Sequence, residues 1–127
     1  MNWFTPEAKS ILANLLTEQG KYAENKELPL LIKTAANYNL IWLYFFNSEF
    51  DLALNQIDNL LTLKADLKEK LQKSNSQKDK SLRISKEEKK ETNATIGIIS
   101  IKKLTELKEI ITDFKIRYNI NKEKLGW

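Results

Sequence analysis

Apolar residues along this chain recur at helical rather than strand spacing. Near the start, Ala8, Ile11, Leu12, Leu15 and Leu16 step by three and four residues. Thr5 suits an N-cap and Pro6 suits the first helical position, where a missing N–H costs nothing. Glu7 then sits favourably against the helix dipole. Gly20 is a natural stop, because glycine readily enters the left-handed conformation that closes a helix. These signals predict a helix over 6–19. Residues 21–28 are polar and aperiodic, and read as a loop or a short helical turn.

Pro29 suits a second start, since Leu28 before it is pushed away from helical geometry. From 29 to 47 the chain is apolar almost all round, with Leu30, Leu31, Ile32, Ala35, Ala36, Leu40, Ile41, Leu43 and Tyr44. Such a helix belongs at the centre of a core or across an interface. Its longest apolar run, Leu40 to Phe46, falls far short of the roughly 20 residues a membrane span needs. Asn37, Asn39 and Asn47 crowd that run, so a buried helix is expected and no membrane span. Asn47-Ser48 breaks the pattern.

Residues 49–72 carry a heptad seam of Ala53, Ile57, Leu60, Lys64, Leu67 and Leu71, with one lysine among apolar positions. The stretch 73–80 (KSNSQKDK) cannot bury apolar area and reads as a linker. Ser85 and Glu88 have capping-box spacing and suit a new helix start. Thr95, Ile96, Ile98, Ile99 and Ile101, with Gly97 among them, leave 95–101 open between helix and a short strand. From Leu104 a seam resumes at Leu107, Ile111, Phe114 and Tyr118, and Asn119 and Asn121 are expected to end it.

The expected fold is all-α: one helical domain over 1–127, a bundle containing a long antiparallel helical hairpin. Helices 49–72 and 94–118 form its two legs, and 6–19 and 29–47 pack at one end. Residues 73–93 form a polar, basic linker or stalk tip. The antiparallel return brings Phe114 and Tyr118 back beside Phe50 and Phe46. Nine of the twelve aromatics lie between Trp3 and Phe50 and none between Asp51 and Asp113, so an aromatic base and an aliphatic, basic tip are expected.

Composition narrows the chemistry. There is no cysteine and no histidine, which removes disulfides, thiolates, the commonest general base and the commonest metal ligand. The absence of valine weakens a sheet-rich reading. No phosphate-cradling loop, calcium loop or nucleophile elbow is present. Glu106, Glu109 and Asp113 share a helical face, and Glu49, Asp51 and Asp58 form a second acidic group. Paired carboxylates serve acid–base work or hold Mg²⁺. Lys102, Lys103 and Arg117 surround the first group, so a salt-bridged solvent face is the expected reading. No catalytic residue, metal or cofactor is expected, and the chain is read as no enzyme.

Residues 38–60 resemble one tetratricopeptide repeat. Leu40, Ile41, Tyr44, Ser48, Phe50, Ala53, Ile57 and Leu60 stand at that motif's relative spacings. Ile41 replaces the usual small residue, and no proline closes the unit at position 65. Gly20-Lys21-Tyr22 echoes the turn of a preceding unit at too short a distance. The resemblance implies protein binding rather than catalysis.

Two functions remain. The whole net charge of +4 lies between Lys64 and Glu91, which hold ten basic and six acidic residues. Lys73, Lys78, Lys80, Arg83, Lys86, Lys89 and Lys90 could neutralise phosphates, giving weak, sequence-blind nucleic-acid binding. The segment has no aromatic for base stacking and almost no arginine for base reading. The leading expectation is instead a non-enzymatic structural subunit that binds other protein subunits, as homo- or hetero-oligomer. Trp3, Phe4, Trp42, Phe45, Phe46 and Trp127 are its candidate anchors, because exposed Trp and Phe are enriched at interfaces. Nineteen lysines, twelve asparagines and thirteen isoleucines suggest AT-rich codons, which fit many hosts and their viruses. A phage or virus particle component is one such assembly. No secretory signal is legible at Met1 to Glu7, so a cytoplasmic or particle location is expected.

Overall fold

The periodic apolar rows become helices along almost the whole described chain. The computed structural model describes residues 6–76 and 84–126, which form five α-helices and no strand. These are α1 (Pro6–Glu24), α2 (Leu30–Phe46), α3 (Phe50–Ser76), α4 (Lys86–Ile98) and α5 (Ile101–Leu125). The fold is an all-α bundle. No helix among the described residues is long and apolar enough to cross a membrane. Thr5 and residues 77–83 lie outside the described residues.

Helix α1 runs through Gly20 instead of stopping there. The glycine's entropic cost is about 0.5–1 kcal/mol. The neighbouring Gln19 ties the helix down on α2 by accepting from Asn39 Nδ2 at 3.1 Å. The stop comes at Asn25 instead, whose side chain accepts from the Glu27 amide at 3.0 Å and whose carbonyl accepts from Leu28. Side-chain and backbone bonds of this kind compete with the helix and end it.

Pro29 gives α2 no side-chain cap, and its first turn holds no acid. The missing partner comes from α4, where Glu91 accepts the Leu30 N–H. At its other end α2 closes in a Schellman turn. Glu49 N donates to Tyr44 O at 2.8 Å and Ser48 N to Phe45 O at 3.0 Å. Ser48 takes the left-handed position, φ 60°, that glycine usually fills.

The core lies where α2, α3 and α5 meet: Ile41, Phe50, Ala53, Ile57, Leu60, Ile99, Leu104, Leu107 and Ile111. Asp51 pairs with Lys115, Asp58 with Lys108, Lys64 with the Ile99 carbonyl and Lys70 with Glu88. Partner numbers fall as α3 numbers rise, so the return path runs antiparallel to α3. Tyr118 returns to Phe50 at 5.5 Å between ring centroids, while Phe114 meets Phe45 at 5.2 Å.

The return path is two helices, not the single helix expected over 94–118, and 95–101 is not a strand. Ile99 and Ser100 are extended, and the polar groups of these two residues have partners. Ser100 N donates to the Tyr38 hydroxyl at 3.0 Å, Lys64 Nζ donates to Ile99 O, and Ser100 Oγ accepts from Lys103 N at 3.2 Å. The break drops Ile99 fully into the core. The β-branched run weakens the helix locally, and these tertiary bonds complete the interruption.

Residues 73–76 and 86–93 are helical, so among the described residues of the expected linker only 84 and 85 lie outside a helix. The last turn of α3 is held by a Lys73–Glu69 ion pair at 2.9 Å and by buried Ser74, whose hydroxyl accepts from Ile84 N. Ser85 caps α4 by accepting from Glu88 N at 3.0 Å. Asn119 and Asn121 do not end α5. It continues to Leu125, with Lys122 and Lys124 favourable at its negative end and Gly126 left-handed behind it.

Candidate functional site

Helix α2 is covered by α1 on one side and by α3 and α4 on others, and its remaining face is open. Ile32, Ala35, Asn39, Trp42 and Phe46 step by three and four residues along that face, and all five are exposed. Trp42 and Phe46 keep 46% and 47% of their surface in solvent. Their rings lie 6.1 Å apart. Phe45 sits behind them, 6.4 Å from Trp42 and 5.9 Å from Phe46, and touches Phe50 and Phe114 on its inner side. Phe45, half-buried, therefore braces the exposed pair.

Helix α1 extends the patch. Ala8, Ile11, Leu12, Leu15, Leu43 and Phe46 line an open, almost wholly apolar groove of about 360 Å³ between α1 and α2. Ile11 and Leu15 are exposed, and only Leu12 of the α1 apolar row is buried. Tyr22 continues the row, its hydroxyl donating to Glu18 Oε1 at 3.0 Å. That bond, with the carboxylate's charge, holds the phenol above its usual pKa. On the other side of Phe45, Phe114 is exposed as well.

Of the six candidate anchors, Trp42, Phe45 and Phe46 are thus brought into one cluster. Trp3, Phe4 and Trp127 lie outside the described residues. Sequence reasoning missed Ile11, Leu15 and Ile32 as surface residues.

No family model, curated protein or solved structure matches this chain. The tetratricopeptide-like spacing at 38–60 coincides with the packing seam of the α2–α3 pair. Leu40, Ile41, Phe50, Ala53, Ile57 and Leu60 are all buried there, and Ser48 forms the turn.

The basic residues do not converge in the same way. Lys86 and Lys90 are exposed on α4, Lys89 is half-buried, and Lys73 is paired with Glu69. Lys78, Lys80 and Arg83 lie outside the described residues. Lys70 pairs with Glu88 across α3 and α4, so acids interrupt the positive surface. The acidic groups are likewise distributed among ion pairs: Asp113 with Arg117 at 3.1 Å, Asp51 with Lys115 and Asp58 with Lys108. Among the described residues, no group of three or more acidic side chains could hold a metal ion.

Proposed function

We propose that this chain is a non-enzymatic helical subunit that docks onto other protein through the α1–α2 face. The observation that carries this reading is the contiguous apolar surface from Ile11 and Leu15 across Phe46 to Trp42. Contiguous apolar patches larger than a few hundred Å² are rare on monomers and usually mark interaction sites. Phe45 supports the reading by locking the two exposed rings in place, which lowers the ordering cost of binding. The basic end lacks such anchors, and lysine is depleted from interface cores.

The test is to follow the chain into its assembly in its source cell. Trp42→Glu and Phe46→Glu remove the chain from high-mass fractions while the isolated protein stays helical. Lys86→Glu and Lys90→Glu leave it there. Retention of both aromatic variants with loss of both lysine variants would move the docking surface to the α4 end.

A further inference from the structure

We infer that the α1–α2 face is completed by a second copy of this chain, packed on it across a two-fold axis. This rests on the docking reading above and names the partner. The exposed strip of α2 is self-complementary. In an antiparallel pairing centred on Asn39, residues at about the same distance on either side meet. Ile32 and Phe46, each seven residues from the centre, lie opposite each other, and small Ala35, four residues before it, lies beside large Trp42, three after it. Asn39 meets its own symmetry mate, the kind of lone polar pair that fixes register in a helical seam. An isologous contact requires this property of a single patch matching itself.

Electrostatics permits it. The strip itself holds no charged residue, and residues 6–46 hold four lysines and four glutamates. Two such layers meet with no net charge to overcome, while the basic excess lies at 64–91, outside the face.

The area also fits. The 17 residues of α2 span about 25 Å. A stable dimer buries about 800 Å² per partner, more than a single helix of that length offers. With α1 at a helix–helix spacing of roughly 8–10 Å, the layer becomes two helices wide. Face to face, two layers form an intermolecular four-helix bundle. Ile11, Leu15 and Tyr22, exposed along one side of α1, supply the added width.

Sedimentation equilibrium tests this on the full chain from about 1 to 200 µM, a range that spans modest affinities for an interface of this size. The wild type forms a dimer. Phe46→Glu and Ile32→Glu, at opposite ends of the strip, each weaken it at least about 30-fold, the loss of one anchor. Their helical spectra stay intact, and two sites guard against one variant failing to fold. Ile116→Glu, on the far side of α5, leaves the dimer unchanged. The chain has no cysteine, so Asn39→Cys supplies a lone thiol beside the two-fold axis, and mild oxidation links two copies. A wild-type monomer throughout overturns the second copy. If Phe46→Glu is nonetheless lost from the cellular assembly, the docking reading survives with a different partner. A dimer indifferent to both strip variants overturns the second copy at this face, the docking reading then being decided by whether Phe46→Glu is lost from the cellular assembly, and a dimer in which Asn39→Cys fails to link overturns the two-fold arrangement.

Discussion

The two ends of α2 are held by different chemistry. At the C-terminal end, Phe45 packs on Phe50 and Phe114, and Phe50 packs on Tyr118. Towards the N-terminal end, Glu91 of α4 accepts the Leu30 amide, and the Ser100 amide, in the break after α4, donates to the Tyr38 hydroxyl at the middle of α2. The buried polar side chains of α2 and α4 are Thr34, Thr92 and Thr95. Hydrophobic burial is non-directional, so the aromatic end can satisfy its core and still present Trp42 and Phe46 outside it. Hydrogen bonds are directional, so the threonine end needs each partner in place. Thr34 Oγ1 is the buried side-chain polar atom there that lacks a partner, among the described residues. A surplus of apolar surface at one end and directional hydrogen bonds at the other suit the first to docking and the second to fixing the bundle's geometry.

Four substitutions can break or sharpen this contrast. Phe50→Ala removes a buried ring from the aromatic end and should cost about 3–5 kcal/mol in urea denaturation. A cost below about 1 kcal/mol would show that the rings are not the bundle's main support. Tyr38→Phe strands the Ser100 amide and should cost about 1–2 kcal/mol. Faster amide exchange at Ser100 and through α4, with the Phe50 region still protected, locates that loss at the polar end. Thr34→Val replaces the unpaired hydroxyl with a methyl of similar shape and should raise stability by about 1 kcal/mol. A loss instead would mean that the hydroxyl has a partner, such as a buried water. Ser48→Gly relieves the left-handed serine in the turn and should gain about 0.5–1 kcal/mol, read as a small rise in the urea midpoint.

The seams were legible in the sequence because they depend on local spacing. Ala53, Ile57, Leu60 and Leu67 on α3, and Leu104, Leu107 and Ile111 on α5, are buried as their period predicts. The α2–α3 turn was legible from Asn47-Ser48, and the start of α4 from Ser85 and Glu88. What was illegible depends on distant partners. Nothing near Gly20 announces that Asn39, twenty residues beyond Gln19, will help carry α1 past it. Nothing near Ser100 announces the Tyr38 hydroxyl that takes its amide, and without that bond 95–101 reads equally as helix or strand. Lys64 looked like a flaw in a heptad seam, yet it reaches the carbonyl freed by the helix break.

The candidate site was half legible. Clustering of Trp42, Phe45 and Phe46 follows from their positions on one helix, but which ring faces outward depends on where Phe50 and Phe114 arrive. Ile11 and Leu15 read as core because their spacing is that of a buried face. They are exposed because α1 lies on the bundle's edge, and edge position is a property of the assembled helices.

The central claim is that docking occurs through the aromatic α1–α2 face and not through the basic α4 end. It is tested most directly by placing a photo-crosslinking side chain at position 46 in one variant and at position 90 in another, each in the otherwise intact chain in its source cell. Protein adducts are expected from position 46 and none above background from position 90. Adducts from position 90 alone, whether to protein or to nucleic acid, would contradict it.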